Sequence, residues 1–150
     1  KRRGCQVIAQ VAASKANAVM AAGASRIIHR NDNPAEILGM DAVDVVVDLV
    51  AGPTWPNLLD IIARGGRYVT AGAIAGPIVE LDVRTLYLKD LTLMGATYQD
   101  KTCFQNLISY IENDEIKPIV AASLPLKDIR KAQEMFLDKN FVGKIVLTIP

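Results

Sequence analysis

Few side chains in this 150-residue chain combine type and spacing suited to chemistry. Ser14-Lys15, after the β-branched run that ends at Val11, joins a hydroxyl to a cation where a helix begins. Helix-start N–H groups and an ammonium both favour an anion, and Arg30, after the next β-rich run, has the planar fork that clamps phosphate bidentately. The alternative for the trio is a capping serine with two solvated cations. Asp48 ends an apolar run and could accept hydrogen bonds from a sugar hydroxyl or cap the following turn. Gly72 and Gly76, in the run Ala71-Gly72-Ala73-Ile74-Ala75-Gly76-Pro77, make a small-residue loop that lets backbone approach a ligand. His29 has no acid–base partner spaced to serve it and reads as a polar residue at a strand end. Cys103, in the first turn of a helix, lacks a histidine or triad pattern and reads as structural. The four methionines read as core filler.

The elements that must position these residues alternate. Cys5–Val11 reads as a strand. Ser14 is the expected N-cap of an alanine-rich helix over 15–22, ended by Gly23 as C′ glycine. A short strand over 26–29 follows, then Asn33-Pro34 as N-cap and first helical residue of a brief helix reaching Gly39. The run VDVVVDL over 43–49 has the continuous apolar character of a parallel strand covered on both faces. A helix over 57–64 ends at Gly65-Gly66, and strands are expected over 67–71 and 91–95, with an irregular stretch between them. Phe104, Leu107, Ile108 and Ile111 fall at i, i+3, i+4 and i+7, the stripe of an amphipathic helix. A short strand near Ile119, a helix over 129–137 and a strand over 144–149 complete the chain.

Strands alternating with helices at this spacing require right-handed βαβ units and an open, doubly wound parallel sheet, an α/β Rossmann-like class. Such sheets bind ligands beyond the carboxyl ends of their strands, which places Ser14, Lys15, Arg30, Asp48, Val50, Gly52, Ala71, Gly72 and Ala73 among the candidates. A sheet that selects NAD carries a carboxylate after its second strand for the adenosine ribose. Ala12-Ala13-Ser14-Lys15 has none, so the cationic corner points to a 2′-phosphate and hence to NADP, with NAD the lesser alternative.

Composition narrows the partners. Seventeen Lys and Arg oppose 16 Asp and Glu, 51% of residues are hydrophobic, and the mean hydropathy is +0.22. That suits one globular fold and excludes a disordered segment. Net charge near zero gives no general attraction to nucleic acid or anionic membrane, and the apolar runs fall far short of the ~20 residues of a membrane span. Cys5 and Cys103, distant in sequence, suggest a reducing cytoplasmic setting. A single histidine leaves no zinc-finger pattern.

The runs CQVIAQVAASKANAVMAAGAS, VDVVVDLVAG, LLDIIARGGRYVTAGAIAG, LYLKDLTLMGAT and FVGKIVL, in this order and spacing, resemble the medium-chain dehydrogenase/reductase superfamily, in its zinc-type alcohol dehydrogenase and quinone oxidoreductase branch. The resemblance covers nearly the whole chain and implies a Rossmann domain of strand order 3-2-1-4-5-6. The strand at Cys5–Val11 would be the second. The first strand, its glycine-rich loop, a barrel-like substrate domain and every zinc ligand would lie upstream of Lys1. By the same resemblance, residues 1–117 are a partial cofactor domain and 118–150 a segment that returns to the catalytic domain. Ser14, Lys15 and Arg30 then fall where NADP-preferring relatives hold the 2′-phosphate. Asp48 to Gly52 and Ala71 to Ala73 line the cofactor cleft, Gly95 to Thr97 lie near the nicotinamide, and Gly143-Lys144 form a turn that closes over the cofactor. The implied activity is hydride transfer to or from a carbonyl, alcohol or conjugated alkene or quinone, with no catalytic residue in this chain and the isolated piece inactive. Without a first strand, the second and fourth strands would have unmatched edges, which leads to the expectation of a strand-paired homo-oligomer. Two other classes are compatible with parts of the pattern: a class I methyltransferase fragment, which usually has an acid after the second strand, and a non-catalytic oligomerisation module.

Overall fold

A computed structural model describes residues 1–150. The chain divides into two compact units, one formed by residues 1–27 and 99–150, the other by 28–98. The strands form three small sheets, of two, three and two strands.

The first unit begins at a turn in which the left-handed Gly4 donates its N–H to the Lys1 carbonyl. Arg2 stacks its guanidinium 3.5 Å above the Tyr110 ring and pairs with Glu115. After β1 (Ile8–Val11), one 3-10 turn over Ala13–Lys15 leads into α1 (Ala16–Ala21). Gly23, at φ +111°, ends α1 as the sequence requires, its N–H bonded to the Met20 carbonyl. Ser14, however, lies inside the 3-10 turn; the cap position belongs to Ala12, and no side chain caps either helix. Helix α5 (Lys101–Glu112) starts at Asp100, whose carboxylate accepts the Cys103 N–H at 2.8 Å. The parallel pair β6 (Val120–Pro125) and β7 (Lys144–Thr148) is joined through α6 (Ile129–Asp138), a βαβ crossover. Gly143 takes φ +107° against the Ile119 backbone, where a Cβ would collide with the Ile119 carbonyl.

The second unit holds most of the core. Strand β2 (Arg26–His29) leads into it, and Asn33 caps α2 (Pro34–Leu38) by accepting the Ala35 N–H at 3.0 Å. Strands β3 (Val43–Asp48), β4 (Ile62–Thr70) and β5 (Thr92–Gly95) are parallel neighbours in that order, the sequential half of a doubly wound sheet. Helix α3 (Trp55–Asp60) connects β3 to β4, and α4 (Val83–Leu88) connects β4 to β5. Ala51, Trp55, Leu59, Ile62, Tyr68 and Leu91 form the buried cluster, with Ile62 wholly inaccessible.

Two features differ from the sequence-based expectation. The helix before Gly65-Gly66 is shorter than expected: Ile61 caps it and Ile62 already belongs to β4, whose register with β3 jumps from Val43–Ile62 to Val45–Arg67. The glycines therefore lie in an irregularity of the strand, with Gly66 packed so tightly over Ile62 and the Asp44 carbonyl that no side chain fits. Residues 83–88, expected to be irregular, are helical because Asp82 caps them, accepting the Arg84 N–H at 2.9 Å.

Candidate functional site

The carboxyl ends of β3, β4 and β5 lie in the second unit, and two of their loops form one built structure. Asp48 closes β3 at 5% exposure, the one charged residue in the buried set. Its Oδ1 accepts the Val50 N–H at 2.7 Å and the Ala51 N–H at 3.1 Å. Its Oδ2 accepts the Tyr68 hydroxyl at 2.7 Å and again the Ala51 N–H at 3.2 Å. Of the two roles open to it from sequence, Asp48 takes the cap. Burying a carboxylate is tolerated only with such satisfaction, and here three residues supply it.

The turn that Asp48 holds is unusual. Ala51 (φ +52°) and Gly52 (φ +78°) are successive left-handed residues. For alanine that conformation costs roughly 1–2 kcal/mol, which the two N–H bonds to Asp48 offset. The second loop, Ala71–Gly76, is bound to this turn: Ala71 donates to the Asp48 carbonyl at 3.0 Å and Ala75 to the Val50 carbonyl at 2.9 Å. Gly72 abuts the Leu49 carbonyl, where an added Cβ would come within 2.8 Å, and Gly52 abuts Ala75 at 2.9 Å. Thr70 Oγ1 donates to the Gly72 carbonyl at 3.1 Å. The Ala96 N–H, just after β5, bonds the Thr70 carbonyl at 2.8 Å, while a Cβ on Gly95 would meet open space.

The exposed rim of this structure is apolar: Leu49, Val50 and Ile74 are all more than two-fifths exposed. Ala71 and Ala73 are exposed, whereas Gly52 is buried and serves the packing of the loops. Tyr68 was not singled out in the sequence; its place in a strand beside Trp55, ring centroids 5.5 Å apart and nearly perpendicular, reads as ordinary core. Its only sequence signal is the hydroxyl itself, which a buried tyrosine must satisfy. Burial, then the bond to Asp48, pushes its pKa above the ordinary tyrosine value.

The remaining candidates fall elsewhere. Ser14 and Lys15 belong to the first unit and Arg30 to the second. Lys144, in the first unit, is exposed and opens β7, its N–H bonded to the Ile119 carbonyl at 2.9 Å. No group of three or more His, Cys, Asp or Glu side chains is arranged to hold a metal ion, so the residues present do not fit a zinc site. No helix is long and apolar enough to cross a membrane.

Comparison with known proteins agrees with the sheet topology. Residues 22–147 match the zinc-binding dehydrogenase family model. An acryloyl-coenzyme A reductase of Metallosphaera sedula is 29% identical over 150 residues, 99% of this chain but 45% of the relative. The crystal structure of a candidate alcohol dehydrogenase from Sinorhizobium meliloti 1021 superposes with a TM-score of 0.88 at 42% identity, over 99% of this chain and 43% of that one. A thermostable alcohol dehydrogenase from Pyrobaculum aerophilum, in a cobalt- and zinc-bound structure, matches at 33% identity and TM-score 0.79, over 97% and 43%. The chain thus spans less than half the length of these relatives.

The expectation of NADP is corrected by the same comparisons. An NAD-dependent alcohol dehydrogenase shares the fold at 25% identity and TM-score 0.85, and the Bacillus subtilis protein yhfP, at 24% and 0.80, has NAD bound. The physical reason lies in the corner itself: Ser14 is not the helix cap on which a phosphate cradle was founded. Missing acidity in Ala12-Ala13 is too weak a signal to select a 2′-phosphate. The match to a family model also sets aside the methyltransferase alternative. With a parallel β3-β4-β5 order and a family model covering residues 22–147, the chain belongs to the zinc-binding dehydrogenases of the medium-chain dehydrogenase/reductase superfamily, as part of their Rossmann-like cofactor-binding portion.

Proposed function

We propose that this chain supplies the cofactor-facing half of an NAD(H)-dependent oxidoreductase that moves hydride to or from a carbonyl, an alcohol or a conjugated alkene. The observation that carries the reading is the interlocked pair of loops at the carboxyl ends of β3 and β4, the edge at which doubly wound sheets bind ligands. Val50, Ala71, Gly72 and Ala73 form the face offered to the dinucleotide, with Gly52 and Asp48 behind it and Gly95 at the neighbouring strand end. Ser14, Lys15, Arg30 and Lys144 are proposed only as peripheral contacts. The nicotinamide, when bound, would supply the hydride in reduction or accept it in oxidation. The chain's own part is to hold one side of the ring and ribose on a dry, apolar rim, as Leu49 and Ile74 suit.

The similarity to an acryloyl-coenzyme A reductase favours a conjugated thioester as substrate, and that to alcohol dehydrogenases an alcohol or aldehyde. Residues 118–150, with β6, α6 and β7, are proposed to join the substrate-binding part of the intact protein. A strand-paired oligomer is also proposed, since the outer edge of β5 pairs with no strand. Two free, exposed cysteines suit a reducing cytoplasm.

The test titrates the intact protein with NADH, NADPH and S-adenosylmethionine by fluorescence. It then follows nicotinamide absorbance with acryloyl-coenzyme A, a quinone and an aldehyde. Tighter binding of NADH and turnover of one acceptor are expected. Binding of S-adenosylmethionine alone, or of no nucleotide, rejects the proposal. A monomer by light scattering at working concentration rejects the oligomer.

A further inference from the structure

We infer that Tyr68, through Asp48, is a positioning residue that sets the Leu49–Gly52 turn for cofactor binding, a role that rests on the function proposed above. Tyr68 lies 20 residues from Asp48 in sequence and on the neighbouring strand, with its hydroxyl 2.7 Å from Oδ2. The same carboxylate fixes the N–H groups of Val50 and Ala51, so one buried anion connects the strand β4 to the turn after β3. The turn needs this connection. Ala51 is held in the left-handed region, and Gly52 follows it there. A free chain would let the alanine relax, and Val50 would then swing away from the rim.

The connection extends to the second loop. Val50 accepts the Ala75 N–H and Asp48 the Ala71 N–H through their carbonyls, so a shift of the turn carries Ala71 and Ala75 with it. The tyrosine ring already fills its slot at the edge of Trp55, and a phenylalanine would fill it equally. The hydroxyl is therefore separable from the core: its removal spares the packing and frees the carboxylate.

The test compares Tyr68→Phe with Ile62→Val in the intact protein. Ile62 is the wholly buried residue at the start of β4, far along the strand from the turn, and reports a loss of core packing alone. NADH affinity is read by fluorescence, KM and kcat by initial rates, and the turn by amide hydrogen exchange at Val50 and Ala51. Tyr68→Phe is expected to raise the NADH Kd and the cofactor KM about tenfold, with kcat and the second-substrate KM within twofold and exchange at both amides faster. Ile62→Val is expected to leave all of these within twofold. An NADH Kd within twofold of the unaltered protein in Tyr68→Phe overturns the positioning role and leaves the proposed function standing. Failure of the unaltered protein to bind NADH overturns the proposed function and this role with it.

Discussion

Lys89 offers a sharp test of how the second unit is held together. Its ammonium donates to the Leu59 carbonyl at 3.1 Å and the Asp60 carbonyl at 2.8 Å, the last turn of α3, and pairs with Asp41 at 2.8 Å. The side chain is only 17% exposed, whereas Asp41 is 59% exposed. The Asp41 pair, open to water and salt, contributes about 0–1 kcal/mol. The carbonyls are different: a cation at a helix C-terminus satisfies orphan acceptors at the negative end of the dipole. Two charge-assisted bonds, each exchanged against water, bring the loss for Lys89→Met to about 2–3 kcal/mol. Urea unfolding of the intact protein measures it, with Asp41→Asn, which keeps a residue that tolerates the left-handed φ of +56° at this position, and the double variant completing a cycle. Asp41→Asn should cost under about 1 kcal/mol, and most of the Lys89 effect should persist at high salt, because the carbonyl bonds are shielded from solvent. A Lys89→Met loss under about 0.5 kcal/mol, or one abolished by salt, refutes the reasoning, since that is what a surface ion pair alone would give.

Three further outcomes are expected. Ile62→Ala removes most of a side chain with no exposed area and should cost about 2–5 kcal/mol by denaturant unfolding, the range for core truncation. Gly72→Ala places a Cβ within 2.8 Å of the Leu49 carbonyl, so the two loops must part; it should lower the midpoint of unfolding and weaken NADH binding several-fold in a fluorescence titration. The raised Tyr68 pKa means that above the ordinary tyrosine value the folded state binds more protons than the unfolded one. Its contribution is therefore complete below about pH 10 and is lost as pH rises through the folded value. The alkaline fall in melting temperature should be shallower in Tyr68→Phe, and an unchanged slope would contradict the assignment.

How much was legible in the sequence depends on the range of the interactions. Gly23 and Asn33-Pro34 mark their helix ends because glycine tolerates left-handed φ and asparagine caps locally, and the structure places both as read. The strand from Val43 to its Asp48 end was equally plain, but the cover expected on both its faces is not there: Val45 and Val47 are 45% and 70% exposed, so the apolar run marks a strand without settling what packs on it. Local signals failed where neighbours several residues away decide the outcome. Ser14 reads as a cap on residue type alone, yet the chain turns two residues earlier, at Ala12. Gly65-Gly66 looked like a stop, but the pairing of Val43 with Ile62 draws the preceding residues into β4.

The sequence by itself determined the alternation of strands and helices, and with it the position of the strand-end loops, because periodicity and capping act over one or two turns. Only the tertiary structure decided that Asp48 is buried and caps its own turn. That choice depends on the Tyr68 hydroxyl, the left-handed Ala51 and a second loop, contacts made across the sheet. A carboxylate's role follows from whichever donors the fold brings to it, and no spacing along the chain encodes that.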